Sequence, residues 1–188
     1  MRRKLTRRRA HRARGFTLVE LMAVVAITGI LSAIVIMLVT KHMRAAATID
    51  AVAGMQAIRS AEESYKAENG SYLNVSRTNG PVWFPAQNPG TTEYSWNQSQ
   101  SPGHPDWQWW SRLGLRREKT RFGYIANAGL PGEKFQGSQL TGYNFSNVAL
   151  TEPWYVIQMK GNRDNDTTFA YGLIHSFNTD TFLQDEDE

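Results

Sequence analysis

Residues 16–40 read FTLVELMAVVAITGILSAIVIMLVT and carry one charge, Glu20. Nothing else in the chain limits its fold so strongly. A helix of these 25 residues is roughly 37 Å long at about 1.5 Å per residue, enough to cross a hydrocarbon core of about 30 Å with some tilt. The preceding stretch, MRRKLTRRRAHRARG, holds eight Lys and Arg and no acid, and charge resumes at Lys41 and Arg44. A basic flank of this kind stays on the cytoplasmic side and directs the rest of the chain outward. A secretory signal peptide fits poorly, because its apolar region is about 7–15 residues long. The small residues Ala45–Ala47 could serve as a cleavage site but come late, after charge. A plain single-pass anchor fits the length and leaves Glu20 unexplained. A carboxylate at mid-membrane costs about 2.5–3.5 kcal/mol on insertion scales and is a functional residue by default.

Four features coincide here: a basic leader, Gly15 followed by Phe16, Glu20 five residues past that junction, and an unbroken apolar run. The string Gly15-Phe16-Thr17-Leu18-Val19-Glu20 with these flanks resembles the class III signal sequence of type IV pilins and type II secretion pseudopilins. The resemblance implies cleavage between Gly15 and Phe16 by a prepilin peptidase on the cytoplasmic face. It implies N-methylation of Phe16 by the same enzyme, and a role for Glu20 in assembly and register. The implied partners are the prepilin peptidase, other pilin subunits in a homo- or heteropolymer, an inner-membrane assembly platform, and the membrane itself before assembly. The implied location is the bacterial inner membrane, then a surface pilus or a periplasmic pseudopilus. Family members often have a Gly where Gly29 stands, and many place a Pro eight residues later. Met37 occupies that later position, so a Pro-driven loosening of the helix is not expected here. Gly29 costs about 1 kcal/mol against Ala in a helix interior, and a small residue there also permits close helix packing.

The overall +4 charge and pI near 9.5 mislead about partners. The leader takes eight of the 21 basic residues, leaving 13 against 17 acids, about −4 for the processed chain. Beyond Arg116, Arg117, Lys119 and Arg121 there is no basic run among aromatics, and no nucleic-acid partner is expected for the isolated subunit. There are no cysteines, so neither disulfides nor cysteine zinc sites enter the fold. Many pilins close their C-terminal loop with a disulfide, and this chain departs from that pattern. The four His have no ligand spacing.

The expected organisation is a leader at 1–15, a membrane and filament-core half-helix at 16–40, its amphipathic continuation at 41–69, and a globular domain at 70–188. Val52, Met55, Ile58, Ala61 and Tyr65 recur at three- and four-residue steps, giving the continuation a broad apolar face. Gly54 weakens the pattern, and Asn69-Gly70 is a stop. A helix running from Phe16 to Asn69 would be on the order of 80 Å long. Residues 70–120 read as an irregular connector with five Pro and five of the six Trp. A short helix is expected near Asp106–Leu113. The Trp cluster reads either as a sugar or adhesion surface or, more simply, as aromatic staples in a domain without disulfides. Strands are expected at Arg121–Asn127, Trp154–Lys160, Thr168–Ser176 and Thr179–Leu183. Strands after a long helix, two of them joined as a hairpin, imply α+β with an antiparallel sheet of 3–4 strands. The order of long helix, aromatic loop and sheet is the type IV pilin layout. Residues 184–188 form an acidic tail.

Asn162, Asp164 and Asp166 in the hairpin start like a calcium loop. Some pilins and pseudopilins bind calcium in C-terminal loops. The pattern then fails, because Thr167 and Leu173 stand where an EF-hand needs Gly and Glu. A turn built on Asn and Asp explains the residues without an ion, and no cofactor is otherwise implied. No nucleophile elbow, phosphate loop or His-Glu-x-x-His occurs, so an enzyme is not expected. The expected function is a pilus-like filament subunit serving adhesion, motility or DNA uptake. A type II secretion pseudopilin is the alternative, and an anchored periplasmic enzyme or binding domain the alternative of another class.

Overall fold

The computed structural model describes residues 15–77, 82–96, 103–115, 119–135 and 151–185. The chain divides into two compact units, Met1–Met43 and Arg44–Glu188. One helix, α1 (Leu18–Asn69), contributes to both.

In the first unit every residue from Gly15 to Met43 is exposed. The apolar half of α1 is long and hydrophobic enough to cross a membrane. Its hydroxyls are satisfied within the helix: Thr28 Oγ1 donates to the Val24 carbonyl at 2.9 Å, Ser32 Oγ to Thr28 at 2.7 Å and Thr40 Oγ1 to Ile36 at 2.8 Å. A segment in lipid has no water to supply those acceptors.

In the second unit the rest of α1 packs its apolar stripe on a sheet. Ala51, Met55 and Ile58 are buried, with Val52, Ala61 and Tyr65 flanking them. Gly54 is where that stripe meets the sheet most closely. The Tyr124 hydroxyl lies where a Cβ at this position would sit, so the glycine that weakens the sequence pattern makes the packing possible. The helix stops as expected: Gly70 has φ +78° and its N–H bonds to the Lys66 carbonyl at 2.7 Å.

The sheet comprises β1 (Phe84–Pro85), β4 (Gly123–Gly129), β5 (Trp154–Gly161), β6 (Ala170–His175) and β7 (Phe182–Gln184), all antiparallel, in the order β1-β4-β5-β6-β7. β2 (Tyr94–Ser95) and β3 (Lys119–Thr120) form a separate two-stranded ladder. The fold is α+β with a pilin-like layout, and the four strands read from sequence all exist with ends shifted by at most three residues. The connector is more ordered than its composition suggests. It supplies β1, β2, β3 and the short helix α2 (Trp107–Arg112). The two-residue strands carry no periodicity, and Pro85 is tolerated because β1 is an edge.

The Trp residues of the connector act mainly as staples. Trp83, Trp96 and Trp110 are 4%, 5% and 2% exposed. Trp83 meets the Tyr171 ring at 6.3 Å, and Phe84 is the centre of the others, with ring centroids of Trp96 at 5.2 Å, His104 at 5.0 Å, Trp107 at 5.7 Å and Trp110 stacked at 5.0 Å. Two polar side chains tie α1 to the rest of the unit. Arg59 donates from Nε to the Tyr155 hydroxyl at 2.8 Å and from Nη2 to the carbonyls of His175 at 3.1 Å and Asn178 at 2.8 Å. Glu62 is fully buried and accepts the Leu73 N–H at 2.9 Å, holding the chain where it turns back from the helix. Burial pushes its carboxyl up to about 8, against the Leu73 hydrogen bond and helped by the neighbouring Glu63 charge.

Candidate processing and assembly site

Gly15, Phe16 and Thr17 precede the first turn of α1 without regular structure, and Leu18 begins the helix. The start is set by a reciprocal cap. The Thr17 N–H and the Thr17 hydroxyl both donate to Glu20 Oε2 at 2.9 Å, and the Glu20 N–H donates to Thr17 Oγ1 at 3.2 Å. The Leu21 N–H closes the first helical bond on the Thr17 carbonyl at 3.2 Å. This is a capping box, in which two otherwise orphaned donors are satisfied by two side chains three residues apart. The sequence motif assigns Glu20 to assembly and does not single out Thr17. A signal for it is present all the same: Thr-x-x-Glu directly before an apolar run is a helix-start signature.

Both cap bonds from Thr17 end on the same oxygen, Oε2. The carboxylate therefore has a second oxygen, Oε1, with which to meet another group. It also lies in the first turn of α1, where the helix dipole favours an anion. Between Phe16 and Thr40 it is the single ionisable side chain, set among large apolar side chains that are all exposed, Phe16 at 87% and Val19 at 75%. Such a surface is complete only when lipid or other helices cover it.

Among the described residues a Cβ added at Gly15 would meet nothing within 4 Å. A requirement for glycine at this position would thus come from whatever binds the junction.

Asn162, Asp164 and Asp166 lie far along the chain from these residues, in the turn between β5 and β6. Asn162 Nδ2 donates to the Asp166 carbonyl at 2.8 Å, and its Oδ1 accepts the Asn165 N–H at 2.7 Å. Asp164 Oδ1 accepts the Asp166 N–H at 3.3 Å, and Asp166 Oδ1 the Thr168 N–H at 2.6 Å. Asn165 has φ 64°, the left-handed conformation that Asn tolerates. All three side chains are thus engaged in holding the turn. Among the described residues no group of three or more His, Cys, Asp or Glu is placed to share a metal ion.

Residues 10–36 match the family described as the prokaryotic N-terminal methylation motif. Neither the curated proteins nor the solved structures gave a match to this chain. The N-terminal segment therefore carries the class III signal of type IV pilins and pseudopilins, and its apolar helix fits membrane anchoring.

Proposed function

We propose that the chain is the precursor of a structural subunit of a pilin-type filament, with no enzymatic activity of its own. The observation that carries this reading is the capped Glu20 at the head of an exposed apolar helix, directly after the Gly15-Phe16 junction. The leader holds the N-terminus in the cytoplasm while residues 16–40 occupy the inner membrane. Prepilin peptidase cuts after Gly15 and methylates Phe16, which then carries a positive amine. The apolar helices leave the bilayer and bury one another in the filament core, drawn out by an inner-membrane assembly platform.

Glu20 makes this exchange of partners selective. Its Oε2 stays with Thr17, and its Oε1 takes the Phe16 amine of an adjacent subunit. The cap is worth about 1 kcal/mol, whereas a broken buried ion pair costs about 3–5 kcal/mol. The intersubunit pair therefore dominates and fixes the axial register of neighbouring helices. Glu20→Ala is expected to be cleaved normally and incorporated poorly, by comparing processed protein in membranes with protein in sheared filaments. Normal incorporation would sink the register role of Glu20.

The same N-terminal segment serves pilus and pseudopilus subunits alike. The Trp residues, being largely buried, do not favour a surface role in adhesion. We assign the subunit to a pilus-like filament, to be checked by its presence in filaments sheared from the cell surface. A secretion defect on deletion, with the protein confined to the envelope, would reassign it to a type II secretion pseudopilus. The β5–β6 hairpin is read as a hydrogen-bonded turn, and calcium at Asn162, Asp164 and Asp166 is the alternative. Heat on titration with millimolar calcium, together with a thermal shift, would establish the ion there.

A further inference from the structure

A knob and a hole stand at opposite ends of the sheet in the second unit. The knob is Leu130. From Gly70 onward it is the one large hydrophobic side chain exposed among the described residues, at 53%. Leu130-Pro131-Gly132-Glu133 follows β4 as a tight turn: the Glu133 N–H bonds to the Leu130 carbonyl at 3.1 Å, and Gly132 has φ +84°. Pro then Gly at the two central positions is the type II pattern. The Leu130 N–H donates to Glu133 Oε2 at 2.7 Å, which folds a carboxylate back beside the turn's apolar residue. A turn fixed in this way presents Leu130 with little ordering left to lose on binding.

The hole is a groove of about 290 Å³, its open mouth included, between α1 and the sheet. Ala47 and Ala51 of α1 form one wall, and Phe122, Met159, Tyr171 and Leu183 line the rest. That size lies at the bottom of the range for small-molecule pockets, about 300–1,000 Å³, and suits an inserted side chain. Lys160 adds a positive charge at the edge: it is paired with Tyr171 across β5 and β6, and its Nζ lies 3.6 Å from the Phe169 ring centre. The two features are far apart. Gly129, next to Leu130, pairs with Trp154, whereas Gly123, next to Phe122, pairs with Lys160. The seven residues of β4 put about 20 Å between those ends.

We propose that Leu130 of one copy seats in the Ala47–Ala51 groove of a second copy, with Glu133 beside Lys160. Charge complementarity argues for this occupant: the apolar knob carries an acid next to it, and the apolar hole carries a base. Placement argues for it too. A patch at one end of the sheet that fits a patch at the other end is a heterologous contact, which repeats head to tail instead of closing a dimer. The copies so joined are displaced by about the length of the sheet. The Glu20–Phe16 pair displaces neighbours by four residues of helix, about 6 Å. The two contacts therefore link different pairs of subunits. The inference rests on the filament reading, because assembly is what brings the copies together.

The chain has no cysteine, so introduced thiols report the contact. Two full-length chains with different tags are co-expressed, one carrying Leu130→Cys and the other Ala47→Cys, and sheared filaments are oxidised. A disulfide between the two tags is expected, with none between chains that share a substitution. A single chain carrying both substitutions should give a ladder of oligomers, since its own two thiols stand at opposite ends of the sheet. Leu130→Asp should keep the wild-type melting temperature and lower filament yield at least about tenfold. Cross-links between two Leu130→Cys chains, filaments that form without the mixed cross-link, or full yield from Leu130→Asp would overturn the docking while leaving the filament reading intact. Wild-type chains that give no filaments, with no cross-link in the variants, would overturn both. Lipid retained by wild-type filaments and lost on Ala47→Leu, with no cross-link, would overturn the docking by giving the groove to an acyl chain.

Discussion

Glu62 should make the globular unit less stable as pH rises through neutrality, and Glu62→Gln should remove that dependence. The carboxyl is fully buried, its Oε2 accepts one N–H, and its Oε1 has no hydrogen-bond partner among the described residues. Burial raises it from an ordinary value of 4.5 to about 8. The folded chain therefore holds a proton that the unfolded chain releases. The stability this contributes is fully present below about 4.5 and is lost progressively as pH rises to about 8. At about 1.4 kcal/mol per unit the full loss is on the order of 4–5 kcal/mol, a large share of the 5–15 kcal/mol typical of a domain. Gln keeps an acceptor for Leu73 and does not titrate. Thermal melts of the processed protein in detergent, followed by its Trp fluorescence, should show the wild type falling between pH 5 and 8.5 by about 10 °C more than Glu62→Gln. The two should converge near pH 5, where the native carboxyl is already neutral. Parallel profiles would refute the claim that Glu62 is protonated in the fold.

Arg59→Ala should destabilise the same unit by about 2–4 kcal/mol, because three hydrogen bonds to Tyr155, His175 and Asn178 are lost from a half-buried cation. Denaturant titration measures this, and Arg59→Lys should recover only part, since one ammonium cannot span the three acceptors in the same planar fork. Gly54→Ala would gain about 1 kcal/mol of helix propensity. It should still lose stability, because the added methyl meets the buried Tyr124 ring and overpacking costs about 1–3 kcal/mol. A melting temperature raised by Gly54→Ala would show that Tyr124 moves aside.

Some features are readable from residue pattern and others only from contact. The long helix and its end at Asn69-Gly70 come from an unbroken apolar run, then a three- and four-residue stripe, then a glycine stop. β5 is the clearest strand because it opens on four consecutive strand-forming residues, Trp154, Tyr155, Val156 and Ile157. The two-residue strands are not readable, since pairing of Phe84 with Tyr124 or Tyr94 with Thr120 is decided across the fold. Glu62 shows a different blindness. It falls on the apolar face, four residues after Ile58 and three before Tyr65, but its charge hides it from a reading that counts hydrophobic positions. At the candidate processing site, Gly15, Phe16 and Glu20 are legible as a motif. Thr17, which shapes the Glu20 carboxylate, needs the hydrogen bonds to become visible.

The claim on which the rest depends is that the chain is cut between Gly15 and Phe16 and enters filaments by its new terminus. Intact mass and N-terminal fragmentation of the mature protein test it most directly. The expected product begins at N-methylated Phe16, and replacing Gly15 by a bulky residue should leave the precursor uncut, while a Cβ there meets nothing within 4 Å among the described residues. A mature chain that begins at any other residue, or that retains its basic leader, would contradict the account.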